Sequence, residues 1–171
     1  MPADAPGIAA VHVAAWQAGY VGLMPQDFLD KLDVEQRTAA WQKTLSTLTP
    51  GTGVLVACDA AGIVAGFCML GPSRDAGVNP QRVAELFAIN LHPQAWNRGI
   101  GTALCRACLQ LAASGPWAEM TLWVLHGNWR ARSFYQRLGF TRDGADKHDL
   151  VIGGQALHEV RYRIPIARSG F

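Results

Sequence analysis

The feature that most constrains this chain is a glycine-bearing turn between an apolar run and an amphipathic segment. The run 85–91 is typical of a strand, and residues 102–113 have the pattern of a helix. Gly99 and Gly101 lie at the junction with Arg98 beside them. The first N–H groups of a helix lack an intrahelical acceptor, and the helix dipole favours negative charge there. Because glycine has no Cβ, backbone can approach a phosphate closely. The sequence therefore predicts a site for a phosphorylated ligand at this junction.

Two common nucleotide-binding motifs fit this junction poorly. The triphosphate-binding pattern Gly-x-x-x-x-Gly-Lys-Ser/Thr does not occur in the chain. The dinucleotide pattern Gly-x-Gly-x-x-Gly lacks its third glycine, because Leu104 stands there. Glu119 lies at about the distance expected of a ribose-binding acid, but it precedes its predicted strand instead of ending one. A nucleotide-dependent oxidoreductase is therefore disfavoured.

The junction instead resembles the acyl-CoA-binding motif of the GNAT N-acetyltransferases, a strand followed by Gln/Arg-x-x-Gly-x-Gly/Ala. Trp96, Gly99 and Gly101 occupy the three motif positions, with Trp96 in place of the usual Gln or Arg. Residues 122–140 resemble the second signature of the family, in which a strand is followed by Asn-x-x-Ala-x-x-x-Tyr and then Leu-Gly-Phe. Both motifs occur in the family's order and spacing, and the likeness extends over about residues 54–164. The chain is identified as a member of this family.

The resemblance and the hydrophobic periodicity together imply the fold. We expect an α/β (α+β) protein with a mixed, mostly antiparallel central sheet flanked by helices, in one GNAT domain over residues 1–171. Asp4 and Asp33 are the expected N-caps of the first two helices. Gly153-Gly154 predicts a two-residue hairpin turn. Because the helical pattern starts near the beginning of the chain, the family's first edge strand is expected to be absent or to precede this sequence.

The resemblance also implies the chemistry. It implies transfer of the acetyl group of acetyl-CoA, a cosubstrate, to a primary amine of a small molecule, peptide or protein by direct attack in a ternary complex. Backbone donors on the strand are expected to polarise the thioester carbonyl, and the turn and helix start to bind the phosphates. The alternative is a non-catalytic acyl-CoA-binding or sensing module. The cofactor-binding residues implied are Ile89, Leu91, Trp96, Asn97, Arg98, Gly99, Ile100, Gly101, Thr102, Asn128 and Ala131.

Tyr135 and Glu85 are the implied catalytic residues. Tyr135 shares a helix face with Asn128, and its phenol, with an ordinary pKa of about 10, would protonate the CoA sulfur. Glu85 is expected to take the amine proton directly or through water, and to share one strand face with residues 87 and 89 by alternation. His126, with an ordinary pKa of about 6.5, and bulk water are the alternative proton acceptors. Arg98, Arg130 and Arg132 are candidates for contact with the CoA phosphates; Arg98 is preferred, because the other two are expected on a helix rim where solvated charges are common.

Composition limits the remaining possibilities. The net charge of +2 gives no reason to expect a nucleic-acid partner. No apolar stretch approaches the roughly 20 residues of a membrane span, and the first residues lack signal-peptide features, so a cytoplasmic protein with no membrane partner is expected. The pair Cys105-x-x-Cys108 is interpreted as helix packing, so no metal is expected. A homodimer and the identity of the acceptor stay open. The expected acceptor pocket comprises 16–28 and 143–154, with Asp146 or Asp149 attracting a cationic amine.

Overall fold

The computed structural model describes residues 1–167, so the last four positions of the predicted 1–171 domain lie outside the described residues. Five helices and six strands follow one another within this range. The helices are α1 (Ala5–Gly19), α2 (Gln26–Asp30), α3 (Val34–Ser46), α4 (Ile100–Ala113) and α5 (Trp129–Arg137). The strands are β1 (Gly53–Cys58), β2 (Val64–Pro72), β3 (Val83–Leu91), β4 (Glu119–Leu125), β5 (Thr141–Ile152) and β6 (Gln155–Pro165).

All six strands form one sheet in the order β1-β2-β3-β4-β6-β5. Every pairing is antiparallel except that of β3 with β4, which confirms the predicted mixed sheet. Gly153 and Gly154 both have positive φ, 56° and 80°, as a two-residue turn between β5 and β6 requires. Within residues 1–167 no strand precedes α1, and β1 forms one edge of the sheet.

Helices cover the two faces of the sheet and bury separate apolar clusters. On the first face, Ile8 of α1 and Trp41 of α3 pack with Phe67 of β2. On the second face, α4 and α5 pack on β2, β3, β4 and β6, and both Cys105 and Cys108 are buried there, as predicted. We call these the α1 face and the α4 face. Burial on each side fixes which way every strand residue points.

The predicted helix caps differ in outcome. Asp33 caps α3, because its Oδ1 accepts a 2.8 Å hydrogen bond from the Gln36 N–H. Asp4 precedes α1 but makes no side-chain cap; its carboxylate instead pairs with the amino group of Met1 at 2.6 Å. Asp4 thus occupies the predicted N-cap position, but its side chain does not cap the helix because an ammonium group close by competes for the carboxylate.

A bulge in β3 reverses the direction of its side chains. Met69 of β2 lies opposite Ala88, while the next residue of β2 lies opposite Leu86, so Phe87 is an extra residue on β3. Glu85 and Phe87 consequently point to the α1 face, whereas Ile89 packs into the cluster on the α4 face. The expectation that residues 85, 87 and 89 share one face was wrong, because simple alternation does not survive an inserted residue.

Candidate active site

The site begins where two parallel strands separate. β3 and β4 pair only from Val83 with Glu119 to Glu85 with Thr121. Beyond these pairs both strands continue, β3 to Leu91 and β4 to Leu125, without pairing to each other. The result is a wedge-shaped gap in the middle of the sheet, which we call the β3–β4 gap.

The β3 side of this gap offers free peptide groups. The N–H of His92 donates to Ala65 on β2 at 2.9 Å. Since successive peptide groups alternate between the two edges of a strand, those of Ile89 and Leu91 face away from β2 and into the gap. An extended ligand with amide groups can pair with this edge as a strand would. The N–H groups of Ile89 and Leu91 therefore face the gap, and their contact with a ligand stays a prediction.

The gap leads to a turn shaped to receive an anion. Asn97 and Gly99 have positive φ, 60° and 78°, and α4 begins immediately afterwards. The N–H groups of Ile100, Gly101 and Thr102 have no acceptor within residues 1–167. Such a group of free N–H donors at a helix start is a suitable cradle for phosphate. We call residues 97–102 the phosphate cradle.

Its two glycines serve different purposes. A Cβ placed on Gly99 would meet no protein atom within 4 Å, so this side of the turn is open to a ligand. A Cβ on Gly101 would lie 3.3 Å from the Leu91 side chain and 3.4 Å from the Phe134 ring, so Gly101 lets α4 pack closely on β3 and α5. Arg98 is exposed and makes no ion pair within the described part of the chain, which leaves its charge available to a phosphate.

Trp96 closes the end of the gap beside the cradle. Its indole N–H donates to the Leu91 carbonyl at 2.9 Å. The guanidinium of Arg130 lies 3.5 Å from the centre of its ring, in cation–π contact. The tryptophan thus uses its one polar atom on β3, and it brings the charge of Arg130 from α5 towards the cradle.

Helix α5 supplies the other wall. The Oδ1 of Asn128 accepts a 3.1 Å hydrogen bond from the Ala131 N–H and caps the helix. Arg132, expected on a solvated rim, is instead buried, and it donates to the Tyr162 hydroxyl at 3.1 Å and to the His126 carbonyl at 2.8 Å. That expectation was wrong because β4 and β6 provide buried acceptors for the guanidinium. Arg132 holds α5 against these strands.

Tyr135 lies deep in the cluster on the α4 face. Its ring makes edge contacts with Phe134 and Phe140, at centroid distances of 5.3 and 5.7 Å. Its hydroxyl has no hydrogen-bond partner within residues 1–167. Burial, and then the neighbouring Tyr20, raise the pKa of Tyr135 far above its ordinary value. The phenol is therefore protonated at any working pH and has a proton to donate.

The two candidate proton acceptors from the sequence lie apart. Glu85 is buried on the α1 face and held by Arg74, whose Nη2 contacts Oε1 at 2.6 Å and whose backbone N–H donates to Oε2 at 2.9 Å. His126 follows β4 and stacks on His158 at 4.6 Å. Desolvation, and then the charges of His158 and Arg132, lower the pKa of His126. The base role of either residue stays a prediction.

The expected acceptor pocket is assembled in part. Trp16 lies 5.2 Å from Tyr20 and 6.3 Å from Phe28 between ring centroids, above the ends of β4 and β6. Asp146, expected to attract an amine, is occupied by Arg142 at 2.8 Å and by His158 at 2.9 Å. The aromatic wall is therefore present, but one of its predicted acidic partners is already paired.

One residue in this region escaped the sequence reasoning. Glu159 of β6 lies on the α1 face, half-buried and close to Tyr20. In the sequence, Glu159 and Arg161 alternate with Val160 and Tyr162, which is the pattern of a solvated strand face. The available signal was Leu157, an apolar residue on that supposedly solvated face, which packs against α2 and the loop before it.

Comparison with known proteins identifies the family. The family model described as "Acetyltransferase (GNAT) family" matches residues 16–140. The chain belongs to the GNAT acetyltransferase family. The uncharacterized N-acetyltransferase YuaI of Bacillus subtilis is 31% identical to it over 157 residues, which is 92% of this chain and 85% of YuaI.

Solved GNAT structures share the fold. The structure of yncA from Salmonella typhimurium with its cofactor acetyl-CoA matches with a TM-score of 0.71 and 20% identity, over 100% of this chain and 93% of that one. The PaiA N-acetyltransferase of Thermoplasma acidophilum, in complex with coenzyme A, matches with a TM-score of 0.64 and 22% identity, over 92% of each chain. The predicted GNAT fold is confirmed. As a member of the family this GNAT protein is an acetyl-CoA-dependent acyltransferase, as predicted.

Two features are absent from residues 1–167. None of the helices there is both long and apolar enough to cross a membrane. No group of three or more His, Cys, Asp or Glu side chains in the same residues is arranged to hold a metal ion.

Proposed function

We propose that this protein transfers the acetyl group of acetyl-CoA directly to a primary amine of a small molecule, peptide or protein. The observation that carries the proposal is the continuity of three features. The free β3 edge leads into the phosphate cradle at one end of the β3–β4 gap, and the unpaired hydroxyl of Tyr135 belongs to the cluster that lines the gap. A long thioester with a phosphorylated end matches this arrangement.

Each wall of the gap has a role in the proposed reaction. The free N–H groups of Ile89 and Leu91 pair with the extended arm of acetyl-CoA and polarise its thioester carbonyl. The cradle, with Asn97, Arg98 and the start of α4, binds the phosphates. Backbone donors fixed in a strand and a helix need no reorganisation when charge develops, which is the condition for electrostatic stabilisation of a transition state.

Tyr135 completes the proposal as the general acid. When the C–S bond breaks, negative charge gathers on sulfur, and a neutral phenol nearby can donate its proton. The burial of Tyr135 keeps the phenol neutral, and its lack of another partner leaves the proton free. Asn128 and Ala131, on the same helix face, are proposed to contact the cofactor arm through the Asn128 amide and the small Ala131 side chain.

The proton acceptor is the least constrained part of the chemistry. Glu85, the residue predicted from the sequence, lies at the point where β3 and β4 separate. Arg74 contacts both of its oxygens, so Glu85 already has a charged partner. A second carboxylate on the same face, Glu159, is free of such a clamp.

A binding screen followed by a turnover assay tests the function. Acetyl-CoA should raise the melting temperature of the purified protein more than NAD or ATP does, because only acetyl-CoA has an arm that can pair with β3. Thiol release should then appear with at least one member of a panel of primary amines. Stabilisation by NAD or ATP alone would contradict the proposal. Acetyl-CoA binding without thiol release from any amine would favour the non-catalytic binding module.

The proposed setting of the reaction is the cytoplasm, with neither membrane nor nucleic acid as partner. The small net charge of +2 supports this, since a nucleic-acid-binding surface requires a strong excess of basic residues. Fractionation of cells that express the tagged protein tests the location. Light scattering on the purified protein tests the homodimer that the sequence leaves open.

A further inference from the structure

Glu159 stands beside the open end of the β3–β4 gap. Its Cα lies opposite Leu125, the last residue of β4, and opposite Lys147 of β5. Leu125 belongs to the part of β4 that has already separated from β3. Two residues along β6, Leu157 packs with Leu125 on the α1 face, so the side chain of Glu159 points to that face as well. The carboxylate is thus placed on the side of the gap opposite the cluster that contains Tyr135.

The carboxylate of Glu159 has unused capacity to accept hydrogen bonds. Its charged partner is Lys147, whose Nζ lies 3.6 Å from Oε2 in a salt bridge. Only 14% of the side chain is exposed. Glu85, by comparison, has partners on both oxygens. Since a carboxylate offers about four lone-pair sites, Glu159 can accept further hydrogen bonds from a ligand.

The surroundings of Glu159 connect it to the proposed acid. Burial, and then the charge of Glu159, raise the pKa of Tyr20 to about 12. Tyr20 in turn contributes to the raised pKa of Tyr135. Tyr20 also packs against the cluster of Leu125 and Leu157, and Leu125 is paired with Glu159. The Tyr20 hydroxyl also lacks a hydrogen-bond partner within the described residues.

The charges around Glu159 favour a role as a base. Desolvation comes first in raising the pKa of Glu159, and Asp149 on β5 and Glu85 on β3 act in the same direction, while Lys147 opposes them. A carboxylate with an elevated pKa is a stronger proton acceptor, and it attracts a cation that enters the pocket. Tyr20, at the end of α1, presents an aromatic ring beside the carboxylate, and such rings also attract ammonium groups.

We propose that Glu159 binds the ammonium group of the acceptor and accepts its proton. The inference rests on the proposed function and names the part of the site that selects a cationic amine. One proton of the ammonium passes to the Glu159 carboxylate, and the freed nitrogen lone pair forms a bond with the thioester carbonyl carbon. The C–S bond then breaks, and the sulfur takes the proton of the Tyr135 hydroxyl. The nitrogen then loses the extra proton that it still carries, which passes through solvent to the Tyr135 oxygen. Glu159 releases its proton to water. The products are the amide, the free thiol and one proton.

Kinetics of Glu159→Gln across pH test the proposal. At about pH 7 the kcat/KM for the amine should fall by roughly 10²-fold or more, because the amine arrives protonated and loses its base. Acetyl-CoA affinity should stay within about twofold, since the cradle is untouched. The deficit should narrow as pH rises towards the pKa of the amine, because free amine then needs no base. A loss that is equal at every pH, or no loss, would overturn the proposal.

Two further variants make the result specific. Glu119→Gln is the matched control. Glu119 also lies where β4 pairs with β6, but it forms an ion pair with Arg163 at 3.1 Å, away from the gap. It should leave the kinetics unchanged. Lys147→Gln removes the cation that lowers the pKa of Glu159, so the acidic limb of kcat/KM should move to higher pH. An unmoved limb in this variant would also count against Glu159.

The same data distinguish Glu159 from Glu85 as the base. They also distinguish a failure of this inference from a failure of the proposed acetyl transfer. If Glu85 is the base, Glu85→Gln will show the deficit that narrows with pH and Glu159→Gln will not. Failure of the proposed function shows in the unmodified protein, as the absence of thiol release from every amine. Failure of this inference requires an active unmodified protein and an equally active Glu159→Gln variant, whose folding is checked by its melting temperature.

Discussion

Acidification should destabilise the helical layer on the α1 face through one histidine. His12 of α1 accepts a 3.1 Å hydrogen bond at Nδ1 from the indole N–H of Trp41. Its Nε2 is buried and has no partner within residues 1–167. A proton on Nδ1 would break the bond from Trp41 and would add a charge where burial and nearby Arg37 oppose it. Burial first, and then Arg37, lower the pKa of His12 to about 4.

The size of the effect follows from linkage. The folded-state pKa of His12 lies below its unfolded value of about 6.5, so between these values the unfolded chain binds more protons than the folded one. The stabilisation is complete above the unfolded pKa and is lost as pH falls towards the folded pKa. Between about pH 7 and about pH 5 the loss is about 2 kcal/mol from this residue. For a chain of this size, that change lowers the melting temperature by about 4–8 °C.

Urea unfolding, followed by tryptophan fluorescence at both pH values, measures this loss. His12→Gln is the matched variant, because glutamine offers Trp41 an acceptor oxygen and does not titrate. Other groups also respond to acid, so the quantity of interest is the difference between the two proteins in their loss of unfolding free energy. We expect the unmodified protein to lose about 2 kcal/mol more than His12→Gln. Equal losses would show that His12 titrates normally in the folded state, and the reasoning from its burial would be refuted.

Three other variants test the proposed site. Tyr135→Phe should lower kcat by about tenfold or more, with little change in KM for acetyl-CoA, because the hydroxyl acts mainly in the transition state. Steady-state kinetics measure both constants. Full activity of the variant across pH would leave Tyr135 with a packing role alone. Gly99→Val should weaken acetyl-CoA binding by at least about tenfold in calorimetry. The control Gly62→Val, at a similar φ of 80° in a distant hairpin turn, should leave acetyl-CoA affinity unchanged. Equal affinities of the two variants would place the phosphates elsewhere. Trp96→Phe loses its hydrogen bond to β3 and should weaken acetyl-CoA binding by roughly three- to tenfold. The control Trp117→Phe loses a comparable hydrogen bond to Pro80 and should leave acetyl-CoA affinity unchanged. Equal affinities of the two variants for acetyl-CoA would argue against a role of Trp96 in the site.

Elements with a clear hydrophobic period could be predicted from the sequence nearly residue by residue. The predicted run 85–91 lies within β3, the predicted turn Gly153-Gly154 joins β5 to β6, and α4 begins beside the glycines of the cradle. These features are local, because the turn chemistry and the period of a segment are written within it. The turn and the helix start of residues 97–102 were predictable for the same reason, since a strand, its turn and the following helix are consecutive.

What the sequence did not show depends on neighbours distant in the chain. The bulge at Phe87 exists only relative to the register of β2, and it decides that Ile89 leaves the face of Glu85. Arg132 was expected in solvent because helix spacing alone says nothing about the Tyr162 hydroxyl, thirty residues away, which accepts its hydrogen bond. In both cases a long-range contact overrides a local pattern that was read correctly.

The proposed reaction also explains why the gap between β3 and β4 matters beyond binding. In a continuous sheet the backbone separates the two faces, so a side chain on one face cannot reach a reactant on the other. Tyr135 belongs to the α4 face, whereas Glu159 and Tyr20 belong to the α1 face. Beyond Glu85 and Thr121 the strands β3 and β4 no longer pair, so the sheet is open between these two faces. The separation of the two strands therefore lets an acid on one face and a base on the other act on the same carbonyl, as direct transfer between two bound substrates requires.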